Sequence, residues 1–424
     1  MSWTLATLAV TLLTFAAISG RIEGTSLTAP MVFTTLGLLF GADALGLVDK
    51  SATGEGVKLL AEATLTLVLF SDASRIDLRT LRSEIALPVR LLAIGLPLTL
   101  LAGFGAALVV LGGLAWPEAL VLAVVLAPTD AALGQSVVTF PRLPSRVRQG
   151  LNVESGLNDG ICVPLFFIAL AVAQAEEGAI GDGAAARLVA EQIGYGVLAG
   201  AVAGTAAAAV VLVGKRQLAA PAWLQIVPLA GAGLAYGIAQ PLGGSGFIAA
   251  FVGGLFFGAI LEQLEAEVSY LLEEAGVITS ALTFIVFGAV LLEPALHDVT
   301  WEVAAYAVLS LTVVRMLPVA ISLLGTGARR PTVGFLGWFG PRGLASIVFA
   351  ILVLEEGGLP HDHLILVTVM ITIGLSVLAH GISAAPLSRR YADWFEANPL
   401  PASAVEATPA RDVRWRGNVA DRGR

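Results

Sequence analysis

The sequence predicts an all-α, polytopic membrane protein of about 13 transmembrane helices, built as an inverted repeat in which the fifth and twelfth helices are broken and cross. Three observations carry this expectation. The chain of 424 residues is 57% hydrophobic and 13% charged, with a mean hydropathy of +0.85, far too apolar for a soluble globular protein. Its apolar residues fall into stretches of roughly 17 to 25 residues, the length that crosses hydrocarbon, centred near residues 11, 37, 66, 101, 126, 164, 201, 231, 252, 284, 313, 345 and 373. Two of these stretches, in opposite halves of the chain, are interrupted: one by Pro128, the other by Gly340-Pro341-Arg342-Gly343.

Taken in order, the first stretch, Trp3 to Ser19, has no basic residue ahead of it and Arg21 behind it. It therefore reads as a retained helix and not as a cleaved secretory signal. Nineteen of the 24 basic residues follow odd-numbered spans or lie in the tail, against Lys50, Lys58 and Arg187 after even-numbered ones. Cytoplasmic loops carry the Lys/Arg excess, which places the N-terminus outside and the C-terminus in the cytoplasm of a multi-pass protein of the cell (inner) membrane. Residues 1–385 form the transmembrane domain. Residues 386–424 turn polar, with Pro399, Pro401, Pro409 and scattered arginines, as expected of a short, partly disordered cytoplasmic tail beside anionic lipid.

Some classes of function are excluded at this stage. A net charge of −8 and the lack of a basic patch with interleaved aromatics argue against nucleic acid. The single cysteine, Cys162, allows no intramolecular disulfide and reads as core filling. The acidic run Glu262, Glu265, Glu267, Glu273 and Glu274 is either a solvated helical face or a cation or proton sensor. Gly196, Gly200 and Gly204, and Gly254 with Gly258, stand at four-residue spacing, which permits close helix approach.

The chemistry concentrates in Pro128-Thr129-Asp130 and in Glu154-Ser155-Gly156-Leu157-Asn158-Asp159. Carboxylates at membrane depth are costly and mark ion or proton pathways. Pro128 removes a backbone donor and disfavours helix at Ala127, so the chain unwinds around Thr129 and Asp130. Unpaired backbone in a bilayer persists only where it lines a cavity or meets protein. A plain proline kink with Asp130 capping a half-helix is the blander alternative. On the sixth span Glu154 and Asn158 share one line, and Ser155 and Asp159 the adjacent one. Ser155 and Asp159 offer hard oxygen ligands of the kind that suit an alkali cation; bonding to neighbouring helices is the structural alternative. Paired interruptions in spans of opposite sense point to an inverted-repeat transporter with a midplane site. Arg342 is the expected partner of Glu154. Arg315, in the eleventh span, is assigned to Asp72, or else anchors at an interface.

These residues in this order resemble a monovalent cation/proton antiporter of the NhaP or sodium/proton-exchanger type, over essentially the whole chain before the tail. The resemblance implies an inverted-repeat antiporter fold, a homodimer, no cofactor, no enzymatic activity, and exchange of Na⁺, Li⁺ or K⁺ for H⁺ in the service of pH homeostasis. It implies Asp130 and Asp159 as the carboxylates of the ion site, with Thr129 and Ser155 as further Na⁺ ligands and Glu154, Asn158 and Arg342 as the supporting network. The pair Asn158-Asp159, in place of two aspartates, resembles the electroneutral branch. The sequence departs from the family at the end of the third helix, where Phe70 is followed by Ser71-Asp72 instead of glutamate.

Two other classes compete. Gly243-Gly244-Ser245-Gly246 matches the pattern of intramembrane serine proteases, with His380 as the base, but this reading leaves the buried acids unexplained. A passive cation channel would use the same acids but has no use for a titrating gate.

Overall fold

A computed structural model describes residues 2–22, 25–47, 55–76, 86–130, 133–178, 182–261, 266–398 and residue 406. Glu262, Glu265 and the tail after Asn398, apart from Glu406, lie outside the described residues. In chain order the helices are α1 (Ser2–Ile22), α2 (Ala29–Phe40), α3 (Glu55–Ser74), α4 (86–110, with a π turn over Leu91–Gly95), α5 (Trp116–Val125) and α6 (Gln135–Val138). They continue as α7 (Ser145–Glu176), α8 (Asp182–Val213), α9 (Pro221–Ala239), α10 (Gly246–Leu261) and α11 (Ala266–Val286). The last five are α12 (Trp301–Leu311), α13 (Val313–Ser322), α14 (Arg330–Trp338), α15 (Leu344–Leu352) and α16 (Asp362–Ala397). Every centre read from the sequence falls within a helix or, at residue 126, at the end of one. Among the described residues seven helices are long and apolar enough to cross a membrane, and five shorter apolar helices accompany them.

The helices pack in two groups. One gathers α3, α8, α9, α10 and α11, with α2 against α11; the other gathers α4, α5, α7, α12, α13, α14 and α16. They meet where α7 lies against α3, α8 and α10, and where α15 lies against α3. Small residues bring the first group close. A Cβ on Gly200 or Gly204 of α8 would strike the carbonyl of Ala249 or Gly253 of α10, and one on Gly254 or Gly258 would strike the carbonyl of Phe70 or Ser74 of α3. Between lipid-facing helices such backbone contact supplies the packing that hydrophobicity alone does not.

Both predicted interruptions are present. α5 opens with Pro117 in its first turn, and the Glu118 carboxylate reaches back to the Ala115 amide at 2.9 Å, a capping arrangement that starts a helix firmly. It ends at Val125, short of Pro128, and helix resumes only as the single turn of α6. α14 ends at Trp338, five non-helical residues follow, and α15 begins at Leu344. α16, by contrast, runs unbroken through Pro386 to Ala397. Beyond it, the buried Glu406 accepts a 2.8 Å hydrogen bond from the Arg329 amide at the head of α14. The acidic run has a basic neighbour just past the end of α3, since Arg75 pairs with Glu273.

Candidate functional site

The two breaks cross and complete one another's backbone. The Asp130 amide donates to the Pro341 carbonyl at 2.7 Å. The Asp130 carboxylate accepts from the Leu344 amide at 2.8 Å through Oδ2, and from the Leu133 amide at 3.4 Å through Oδ1. Asp130 therefore caps α15, the half-helix of the other break, where its charge meets the positive end of the helix dipole. Arg342 does the converse: its Nη1 donates to the Ala127 carbonyl at 2.5 Å and to that of Pro128 at 3.3 Å, at the negative end of α5. Gly343 makes this possible, because a Cβ there would collide with the Asp130 carboxylate.

α7 supplies the opposite wall. The Thr129 amide donates to Asn158 Oδ1 at 3.3 Å, Asn158 Nδ2 donates to Thr129 Oγ1 at 2.7 Å, and the Thr129 and Ser155 hydroxyls lie 3.1 Å apart. Asp159 stands one helical turn beyond Ser155 and is 8% exposed, as is Asp130. The structure thus brings Thr129, Asp130, Ser155, Asn158 and Arg342 together at the crossing and carries Asp159 on the same line of α7 as Ser155. Oxygen is the predominant donor atom here. The arrangement can replace the water shell of a hard monovalent cation, and its acids can hold a proton instead.

Two expected pairings are corrected. Glu154 pairs with Arg315, not with Arg342, through bonds of 2.6 Å and 2.9 Å to Nη1 and Nη2, with both side chains almost fully buried. Arg315 is correspondingly not paired with Asp72. The cause is packing: α13 places Arg315 beside α7 and against the second break, where a Cβ on Gly340 would strike its Nε, while Arg342 is drawn to the carbonyls exposed by Pro128. The proposed protease pair is also separated. Ser245 Oγ accepts from the Ile248 amide at the start of α10, whereas His380 bonds to Ser376 and Trp338.

The sequence reading missed several polar contacts. Glu118, 1% exposed, accepts from the His361 amide and meets its Nδ1, both at 2.9 Å, joining the start of α5 to the start of α16. Glu293, also buried, accepts from the Ala42 and Asp43 amides at 3.2 Å and 2.6 Å. Ser376 and His380 stand four apart in α16, in line with Thr368 and Thr372, a polar stripe on one helix face that the sequence does display.

A family model described as sodium/hydrogen exchanger, transmembrane, matches residues 8–390. The K(+)/H(+) antiporter NhaP of Alkalimonas amylolytica is 27% identical over 379 residues, covering 88% of this chain and 63% of that one. The K(+)/H(+) antiporter NhaP2 of Shewanella oneidensis is 27% identical over 387 residues, covering 89% and 66%. The chain spans just under two thirds of the length of these two relatives. The Na(+)/H(+) antiporter NhaP of Pseudomonas aeruginosa is 31% identical over 355 residues, covering 77% and 79%. In fold the chain is similar to the sodium proton antiporter MjNhaP1 of Methanocaldococcus jannaschii at pH 8, with a TM-score of 0.70, 20% identity, and coverage of 90% of this chain and 98% of that one.

Proposed function

The chain belongs to the sodium/hydrogen exchanger family, and from that premise we propose that this multi-pass membrane protein exchanges an alkali cation, Na⁺ or its congeners Li⁺ and K⁺, for H⁺. Transport proceeds by competition at Asp159, with Asp130, Thr129 and Ser155 completing the cation shell and Glu154, Asn158 and Arg342 supporting it. Relatives named for K⁺ and for Na⁺ both align along the chain, and these ions differ in radius and hydration more than in the ligands they accept.

The observation that carries this reading is the pair of buried carboxylates at the crossing, Asp130 and Asp159. Glu154 and Arg315 cancel as a bonded pair, and Arg342 donates to the carbonyl oxygens of Ala127 and Pro128. An ionised carboxylate is expensive in this medium unless a positive charge accompanies it. A monovalent cation or a proton at Asp159 supplies that charge. If the protein changes facing only in the neutralised state, the two must alternate, one for one and without net charge movement.

The functional unit in this proposal is a homodimer in the cell membrane, with the N-terminus outside, the C-terminus inside and no cofactor. The test is fluorescence dequenching in pH-loaded everted vesicles with each alkali cation added in turn. Wild-type protein dissipates the gradient on cation addition, and D159N, folded and inserted, does not. Unchanged exchange by D159N would remove the centre of the mechanism.

A further inference from the structure

We infer that His380, acting through Ser376, is a positioning residue that sets the shape of the second break and through it the placement of Asp130 and Arg342; the inference rests on the exchanger reading. Both side chains are essentially fully buried. The Arg342 amide donates to Ser376 Oγ at 2.7 Å, Ser376 Oγ lies 3.1 Å from His380 Nδ1, and His380 Nε2 lies 2.9 Å from the Trp338 carbonyl. Trp338 is the last residue of α14, in the terminal turn whose carbonyls have no intrahelical donor; its carbonyl accepts from the Gly340 amide at 2.8 Å, and His380 meets it as a second partner.

A neutral imidazole has one N–H and one acceptor nitrogen. With the proton on Nε2, every link finds its complement: the ring donates to Trp338, Ser376 donates its hydroxyl hydrogen to Nδ1, and the same hydroxyl oxygen accepts from Arg342. The other neutral tautomer would set the bare Nε2 against a carbonyl oxygen. Nδ1 also lies 3.0 Å from the Ser376 carbonyl, so each neutral tautomer leaves one bare nitrogen beside a carbonyl oxygen; what favours the first is that its Nδ1 accepts the Ser376 hydroxyl hydrogen, whose oxygen already accepts from Arg342.

Trp338 is gripped twice more by the same face of α16. Its indole Nε1 donates to Ser383 Oγ at 2.8 Å, and its ring lies 5.0 Å from the His380 ring, centroid to centroid. α16 thus pins the break at two points, at Trp338 before it and at Arg342 within it. Between these pins lies Pro341, whose carbonyl receives the Asp130 amide. Just beyond lies Leu344, whose amide receives the Asp130 carboxylate. Nothing in this chain requires His380 to gain or lose a proton during transport.

The test uses the full chain in proteoliposomes and in detergent. H380A raises the half-saturating Na⁺ concentration by about tenfold, and S376A does the same, as expected when one buried hydrogen bond beside the site is lost. H380Q, whose terminal amide reaches the Trp338 carbonyl, returns the value to within about threefold of wild type. The double variant H380A/S376A is no worse than H380A alone, because the two act in series. A role confined to folding would lower the amount of monodisperse protein and leave half-saturation unchanged. Hydrogen exchange of residues 338–344 gives a readout independent of transport: H380A speeds it while α16 stays protected. Unchanged half-saturation in H380A, unchanged hydrogen exchange in that segment, or loss of exchange in a folded H380Q would each overturn the inference. Wild-type protein that fails to exchange ions would overturn the exchanger reading alone, since the hydrogen-exchange comparison still decides whether His380 shapes the break.

Discussion

Removing one partner of the Glu154–Arg315 pair strands a charge in the membrane interior, and the cost follows from the geometry. Both Nη atoms of Arg315 bond Glu154, at 2.6 Å and 2.9 Å, and neither side chain is more than 4% exposed. With charge centres roughly 4 Å apart, Coulomb's law at an effective dielectric near 20 gives about 4 kcal/mol. Breaking buried pairs by single substitutions costs about 3–5 kcal/mol, because the remaining charge loses its partner and cannot regain water. Glu154→Gln and Arg315→Met should each show a loss of this size in denaturant titration of the detergent-solubilised protein. The double variant removes both charges and should recover most of the loss, since an apolar replacement of an intact buried pair is close to neutral. The cycle therefore yields a coupling above about 2 kcal/mol between Glu154 and Arg315. The parallel cycle with Arg342→Met should yield under about 0.5 kcal/mol, because the guanidinium of Arg342 bonds carbonyl oxygens instead of Glu154. Strong coupling to Arg342 together with weak coupling to Arg315 would refute the assignment.

Other outcomes follow from the same contacts. Gly343→Ala places a methyl group against the Asp130 carboxylate and should cost about 1–3 kcal/mol through overpacking while reducing exchange; Gly233→Ala, with open space around its Cβ position inside α9, is the matched control and should leave exchange unchanged while raising stability by about 0.5–1 kcal/mol. Arg142 bonds Glu396 and Asp393 at the end of α16, and these hydrogen bonds, that of Glu396 first, raise its already high pKa. A group whose pKa is raised on folding gives up its contribution only as pH climbs through the raised value. Arg142→Gln should therefore leave the pH dependence of the unfolding midpoint unaltered between about pH 5 and pH 9, where arginine stays charged. Because the pair is exposed, the same variant should differ little from wild type in high salt.

Much of the architecture is legible in the sequence because the bilayer reduces the choices. Apolar length dictates helices, and an interruption at Pro128 or at Gly340-Pro341 has to be repaired by protein. Helical periodicity also places Ser155 and Asp159 on one line of α7. Glycine spacing anticipates the approach of α8 to α10, since a residue lacking Cβ at every fourth position presents a flat backbone stripe.

What the sequence by itself determined is therefore local: where the chain crosses, where it breaks, and which polar groups share a helix face. The partners were decided by tertiary structure. Glu154 and Arg315 are separated by 161 residues, and no periodicity states that α13 would deliver its arginine to α7 while Arg342 turned to the carbonyls of the opposite break. Asp130, Leu344 and the Ser376–His380 chain likewise meet only once the two breaks cross beside α16. Local pattern specifies the polar groups that a membrane helix must hide; the packing of distant helices specifies where each is hidden, because only one arrangement brings a complementary group within hydrogen-bond reach.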